Sequence, residues 1–287
     1  TKGRIILGVG PGALSSDAHM PGINPGRQRE MMDESLNIIM RVFTETEPIT
    51  SKCDWFELNE AVIQLRPFQS PAIPVAVASV ESPAGVSLAG KHGASVLSLS
   101  VPRDTIRRTS LKELWDIAEE TAAEHGKTMH RQDWGIVMGV HLADTRKEAI
   151  EQIREGSARL VTEYFGRTLG NPVPDVPRDQ IVDYMVDNNQ WIVGTPDDAI
   201  AGIERLQEIS GGFGKFMIRV EDWAPMHQIN RSYELLARYV MPKFQSSVMG
   251  IETSNQWATD RKDALQANRY AGLKAATDTY DASRSRS

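Results

Sequence analysis

The feature that most constrains this chain is the repeated alternation of short apolar runs with longer stretches of helical periodicity. Parallel strands must be joined by crossovers long enough to hold a helix, so the alternation predicts an α/β fold with a parallel sheet. We count about five such units, enough for an open doubly wound sheet, whereas a closed eight-unit barrel needs about three more. The strand-like runs lie at residues 5–10, 73–78, 94–99, 134–142 and 216–220.

Capping patterns mark where several predicted helices begin. Asn24-Pro25 and Thr195-Pro196 each place a capping side chain before a proline at the first helical position. Ser110 and Glu113 form a capping-box pattern ahead of a helix that runs to about residue 125. We expect residues 50–67 to form an excursion between elements, and residues 166–179 to form a loop.

The last part of the chain differs in composition from the rest. From residue 250 onward it is polar, with alanine-rich stretches and a Ser-Arg-Ser-Arg-Ser end. We therefore expect a first domain at residues 1–249, followed by a polar, partly helical tail at residues 250–287.

Charge and cysteine content exclude several functional classes. The net charge of −6 argues against a nucleic-acid partner, because phosphate backbones require a concentrated excess of Lys and Arg. No apolar run is long enough to span a bilayer, so we expect a cytoplasmic protein with small molecules or proteins as partners. Cys53 is the single cysteine, which excludes an internal disulfide.

Two arginines suggest an anion site after the first strand. Arg27 and Arg29 fall in the first turns of their helix, where the helix dipole disfavours a cation by about 0.3 to 1 kcal/mol. A bound anion would remove that conflict, and guanidinium groups suit phosphate oxygens. The competing interpretation is two solvated arginines on a helix surface.

A second anion site is suggested after the next strand. Ser82 and Pro83 open a helix there, so the backbone NH groups of Ala84 and Gly85 should point toward the same edge of the sheet. The competing interpretation is a plain capping serine. Because both segments follow neighbouring strands, a phosphate-bearing ligand explains the pair better than it explains either segment alone.

Other candidates are weaker. His141 lies in a predicted strand, and we interpret it as a hydrogen-bonded interior histidine. We interpret His19 as a solvated loop residue. The histidines show no metal-ligand spacing, so we propose no metal. Glu81 and Glu221 each follow a strand, but nothing in the sequence shows the separation that paired glycosidase carboxylates need. Pro11 breaks the tight turn that a dinucleotide-binding glycine motif requires.

Taken in order, these segments resemble the luciferase-like flavin monooxygenases, including limonene- and diketocamphane-type enzymes. The resemblance covers about residues 3–244. Its motifs are individually weak but specific as an ordered set. They are Gly3–Gly10, the helix with Arg29-Glu30-Met31, Pro67–Val75, Glu81-Ser82-Pro83 followed by Leu88–Gly93, and Val193–Asp198 followed by Gly211-Gly212.

The resemblance implies a (β/α)8 TIM barrel that binds FMN at the carboxyl ends of its strands, commonly as a reduced cosubstrate. It assigns residues 1–249 to part of such a barrel, and it implies flavin phosphate contacts at Arg29, Ser82 and Gly85, with Glu81 beside them. Two positions depart from the family pattern. Pro11 replaces an arginine of luciferase, and Gly85 replaces a hydroxyl side chain, for which a backbone NH is a partial substitute.

The resemblance also aligns residue 1 near the family's fourth strand. The three preceding units, which carry the family's catalytic histidine and much of its dimer surface, have no counterpart in this alignment, so we name no catalytic residue.

The implied activity is a monooxygenase that uses reduced FMN and O2 on a small apolar substrate such as a terpene, ketone or aldehyde. The alternatives are an F420-dependent oxidoreductase and a non-catalytic partner subunit of the luciferase type. A flavin reductase is a candidate partner, and the resemblance separately implies a homo- or heterodimer of luciferase-like chains.

Overall fold

The computed structural model describes residues 1–80, 83–99, 110–246 and 249–284. Its contacts divide the chain into two compact units, Thr1–Ser232 and Tyr233–Ser287. The first unit holds the sheets and most of the helices. The domain boundary expected at residues 249 and 250 stays a prediction.

Six strands of the first unit form one parallel sheet. These strands are β1 (Leu7–Val9), β4 (Val75–Ser79), β5 (Ser95–Ser98), β6 (Gly135–Leu142), β7 (Trp191–Gly194) and β8 (Lys215–Arg219). Their order is β1-β4-β5-β6-β7, with β8 also paired to β6. Gly135 in β6 pairs with Leu97 of β5 and with Lys215 of β8, so β5 and β8 flank β6 on opposite sides. Among the described residues β1 pairs only with β4, so the sheet is open at this edge.

Two elements correct the expectations from sequence. The segment expected as an excursion, residues 50–67, overlaps an antiparallel pair of strands, β2 (Ile49–Lys52) and β3 (Glu57–Ala61). β7 was not predicted as a strand, yet it pairs in parallel with the end of β6. Both β2 and β3 are largely polar, so the apolar alternation that announces a strand is missing from them.

The helices follow the strands as a parallel fold requires. The loop expected from residue 166 begins later than predicted, because the helix after β6 continues to Thr168 with π-helical hydrogen bonding. Leu236–Val240 has π-helical hydrogen bonding as well. The helices are α1 (Ser15–His19), α2 (Gln28–Thr44), α3 (Pro83–His92), α4 (Leu111–Glu124), α5 (Arg146–Arg159), α6 (Ile181–Asp187), α7 (Pro196–Ser210), α8 (Met226–Leu235), α9 (Met241–Phe244), α10 (Met249–Asp260) and α11 (Lys262–Arg284).

The predicted caps are confirmed. Asn24 Oδ1 accepts a hydrogen bond from the Gly26 backbone N–H at 2.9 Å, and the chain then makes one 3-10 turn before α2. Ser110 and Glu113 form a reciprocal capping box at α4. Thr195 caps α7 in the same way with Asp198. These side chains satisfy backbone NH groups that the first helical turn leaves without partners.

Close helix packing fixes the position of α3 over the sheet. Gly90 lies against α4, and a Cβ atom at that position would come within 2.4 Å of the Ala118 carbonyl oxygen. Ala118 is fully buried together with Leu111, Leu114 and Ala122, as the helical stripe predicts. Since a side chain at residue 90 would push the helices apart, this glycine holds α3 against α4.

The last two helices, α10 and α11, differ from the rest in burial. Every residue from 249 to 284 is exposed, including Trp257 and Leu273. No helix within the described ranges combines the length and the apolar composition needed to cross a membrane.

Candidate functional site

A cavity of about 900 Å³ opens at the carboxyl ends of β1 and β4. The loop 10–13 after β1 forms one wall, and the first turns of α2 form another. The end of β4 and the first turn of α3 form the floor and the far side. Ligands of parallel α/β folds bind at this edge of the sheet.

Arg29 and Gly85, which the sequence assigned to two separate anion sites, both line this one cavity. Arg29 is exposed in the first turn of α2, and Gly85 lies in the first turn of α3. The structure therefore brings the two predicted segments together. The other two predicted contacts, Glu81 and Ser82, lie outside the described residues.

Arg27 has a structural role, which corrects its grouping with Arg29. Its guanidinium contacts Asp54 at 2.6 Å and Glu30 at 3.3 Å. The hydrogen bond to Asp54 is the main reason that the pKa of Arg27 is raised above its ordinary value. With two carboxylates around it, Arg27 ties α2 to the turn between β2 and β3.

Among the described residues that line the cavity, Arg29 is the cation available to a ligand. Glu30, which also lines the cavity, is engaged by Arg27. Lys91, a second cation of the lining, contacts Asp33 at 2.6 Å. Arg29 makes no hydrogen bond or ion pair with any residue that the structure describes. A bound anion would provide the missing partner.

Asp33 joins α2 to α3 beneath the cavity. Its carboxylate accepts hydrogen bonds from Lys91 Nζ and His92 Nε2, each at 2.6 Å. Burial by itself would raise the pKa of Asp33, but the hydrogen bonds from Lys91 and His92 outweigh it and lower the pKa. The pair of helices that carries Arg29 and Gly85 is thus held together by an ionised group.

Gly85 provides room where the helix meets the strand. A Cβ atom there would lie 3.2 Å from the Ala78 carbonyl oxygen and 3.2 Å from both Cβ and Oγ of Ser79. This contact is tighter than ordinary van der Waals packing, so glycine lets α3 approach the end of β4 closely.

The sequence reasoning missed Ser79, Asp33 and Lys91, which also line the cavity. A signal for two of them was present. Asp33 lies four residues after Arg29, and Lys91 lies four residues after Ser87, so each pair shares one face of its helix. Ser79 is the single polar residue of the buried strand β4.

The remaining candidates lie elsewhere. His141 is buried, and its Nε2 atom is 2.8 Å from the Gln152 Oε1 atom of α5, as expected for an interior histidine. Burial lowers its pKa, and the Gln152 hydrogen bond opposes that shift. His19 is exposed at the end of α1 and does not line the cavity. Burial raises the pKa of Glu221, while Arg219, at 2.8 Å, opposes the shift.

One cluster has the composition of a metal site. Ligand atoms of Glu34, Cys53 and Asp54 lie within 4.8 Å of one another. However, Glu34 already accepts a hydrogen bond from Trp55 Nε1, and Asp54 is paired with Arg27. Both carboxylates therefore have structural partners, and the cluster gives no reason to assign a metal.

A parallel α/β sheet with a cavity at the carboxyl edge is the architecture shared by barrel and doubly wound folds. Residues 1–211 match the family described as luciferase-like monooxygenase. This match covers more than half of the chain, so the chain belongs to the luciferase-like monooxygenase family.

Curated relatives support the assignment to this enzyme class. The chain is 40% identical to 4-hydroxyprotoasukamycin monooxygenase from Streptomyces nodosus subsp. asukaensis, over 93% of this chain and 72% of the relative. It is 38% identical to limonene 1,2-monooxygenase from Rhodococcus erythropolis, over 86% of this chain and 63% of that relative. The chain thus spans about two thirds of the length of these monooxygenases.

A solved structure supports the fold. The oxygenating constituent of 3,6-diketocamphane monooxygenase from Pseudomonas putida, a type II Baeyer–Villiger monooxygenase in complex with FMN, aligns with a TM-score of 0.66 at 25% identity. The alignment covers 84% of this chain and 72% of that structure. The TIM-barrel type of fold expected from the resemblance is confirmed, although the parallel sheet in the described residues does not close.

Proposed function

We propose that this chain binds reduced FMN in the cavity between α2 and α3 and oxygenates a small apolar organic substrate with O2. The observation that carries the proposal is the convergence of Arg29 and the first turn of α3 on one cavity. A guanidinium and a helix N-terminus are both donors suited to a phosphate.

The residues present fit such a ligand. The volume of about 900 Å³ lies within the range of about 300 to 1,000 Å³ typical of small-molecule sites. Gly85 lets the start of α3 lie close to the end of β4, and both segments line the cavity. When bound, reduced flavin supplies the electrons by which one oxygen atom of O2 enters the product and the other leaves as water.

The chain's own contribution is binding, orientation and exclusion of water. Arg29 and the α3 N-terminus hold the charged end of the ligand at the cavity's polar side. Apolar side chains form much of the remaining wall and displace water from the part of the site where an uncharged substrate would lie. These side chains are Met32, Val77, Val80, Leu88 and Leu99.

The names of the relatives support the proposed cofactor and substrate class. One neighbour is described in complex with FMN, and some of the curated relatives are named as limonene and diketocamphane monooxygenases. In this proposal a separate flavin reductase supplies reduced FMN. An F420-dependent reaction is the rival outcome, and it differs because no oxygen is consumed.

The test is an anaerobic titration of reduced FMN, followed by oxygen uptake with limonene as the probe substrate. We expect saturable binding of FMN, and we expect Arg29→Ala to weaken it about 10- to 100-fold through loss of a charge-assisted hydrogen bond. Arg41→Ala is the matched control, because Arg41 lies on the same helix, pairs with Glu45 and is absent from the cavity lining. Binding of F420 without binding of FMN would refute the proposal.

A further inference from the structure

Ser79 is a buried residue whose hydroxyl group makes no hydrogen bond with any part of the chain that the structure describes. Side chains alternate along β4, so Ser79 shares a face of the sheet with the buried residues Val75 and Val77. Ser79 is only 3% exposed, and its Oγ atom has no hydrogen-bond partner among the described residues. Because buried hydroxyl groups are nearly always paired, an unpaired one calls for a functional explanation.

The position of this hydroxyl group supplies the explanation. Ser79 lines the cavity, and its Oγ atom lies 3.2 Å from the point where a Cβ atom of residue 85 would be. The hydroxyl group therefore lies beneath the first turn of α3, at the end of the helix that carries partial positive charge. Because residue 85 is glycine, no side chain from that position lies over the hydroxyl group.

We propose that Ser79 is an additional phosphate-binding residue, whose hydroxyl group donates a hydrogen bond to the anion held by Arg29 and the N-terminus of α3. This inference rests on the proposed function and adds one residue to the same site. The serine side chain has three staggered positions about χ1. No hydrogen bond to a described residue fixes the present χ1 position of Ser79, so its hydroxyl group can turn toward a ligand without losing a hydrogen bond.

A second buried serine shows the contrast and serves as the control. Ser98 ends the neighbouring strand β5 and is 1% exposed, but its Oγ atom accepts a hydrogen bond from Trp134 Nε1 at 3.0 Å. The hydroxyl group of Ser98 thus has a structural partner, and Ser98 does not line the cavity.

The test compares FMN with riboflavin, which lacks the phosphate, by anaerobic titration of the reduced forms. For Ser79→Ala we expect about 10-fold weaker FMN binding and unchanged riboflavin binding, since one hydrogen bond to a charged group is lost. The melting temperature of the ligand-free protein should not fall, because no hydrogen bond within the fold is removed. Ser98→Ala should instead lower the melting temperature and leave the ratio of FMN to riboflavin affinity unchanged.

Three outcomes would overturn the inference for Ser79. They are unchanged FMN affinity in Ser79→Ala, equal weakening of FMN and riboflavin, and a loss of thermal stability matching that of Ser98→Ala. In each of these cases the proposed function still stands if the wild-type protein binds FMN more tightly than riboflavin. If wild-type protein binds neither flavin, the proposed function fails first and the inference fails with it.

Discussion

Substituting Gly85 with alanine tests the geometry at the start of α3. The new Cβ atom would meet the Ala78 carbonyl oxygen and two atoms of Ser79, all at 3.2 Å. Backbone atoms cannot move aside cheaply, so we expect an overpacking cost of about 1 to 3 kcal/mol. The gain in helix propensity from glycine to alanine offsets about 1 kcal/mol of this cost.

The net expectation for Gly85→Ala is a loss of about 0 to 2 kcal/mol in the free energy of unfolding, with weaker FMN binding. Gly272→Ala is the matched control, because Gly272 lies in the exposed helix α11 with nothing within 4 Å of its Cβ position. That control should gain up to about 1 kcal/mol.

Thermal unfolding by circular dichroism and anaerobic titration of reduced FMN measure both effects. For a chain of this size, 1 kcal/mol corresponds to a shift of about 2 to 4 °C in melting temperature. If Gly85→Ala gained as much stability as Gly272→Ala and bound FMN as wild type does, the reasoning about close approach at residue 85 would be wrong.

Two titratable side chains with shifted pKa values, His141 and Asp33, give pH-dependent predictions. Burial lowers the pKa of His141, so the unfolded chain binds more protons below about pH 6.5 and stability falls there as the pH drops. Urea titrations should show that His141→Asn loses less unfolding free energy than wild type between pH 6.5 and 5. An equal loss in the two proteins would contradict the role given to His141. Because the pKa of Asp33 is lowered in the folded state, its contribution to the free energy of unfolding is complete above about pH 3.9. That contribution is lost as the pH falls through the folded-state pKa. Asp33→Asn should therefore be less stable than wild type at pH 7, and the two curves should converge in acid; parallel curves would refute this role for the contacts with Lys91 and His92.

The sequence predicted the main elements because apolar periodicity and capping patterns are local. The stripe of α4 and the caps at Ser110 and Thr195 are examples, since each signal lies within a few residues of the feature that it specifies. The strand β7 was missed because Trp191–Gly194 is only four residues long and follows a short helix. Its pairing with β6 depends on residues some fifty positions earlier in the chain.

The site was predictable in part for the same reason. Arg29 and Gly85 lie in the first turns of helices that follow neighbouring strands, and local sequence patterns at such positions favour anion binding. The sequence does not separate Arg29 from Arg27, because the partner that occupies Arg27 is Asp54, on a turn whose strands were not predicted. The hydroxyl group of Ser79 is also invisible to sequence patterns, because its lack of a partner depends on tertiary packing.

The tail illustrates a different limit. Alanine-rich composition favours helix, and α10 and α11 are helical, but every side chain in them is exposed. Intrinsic propensity is a local property, whereas burial depends on partners that the composition of a segment does not specify.

The most direct test of the central claim is an experimental structure of this chain with FMN bound. We predict that the phosphate lies within hydrogen-bonding distance of the Arg29 guanidinium and the first turn of α3, at the carboxyl ends of β1 and β4. A phosphate bound anywhere else, with Arg29 still facing solvent, would contradict the account.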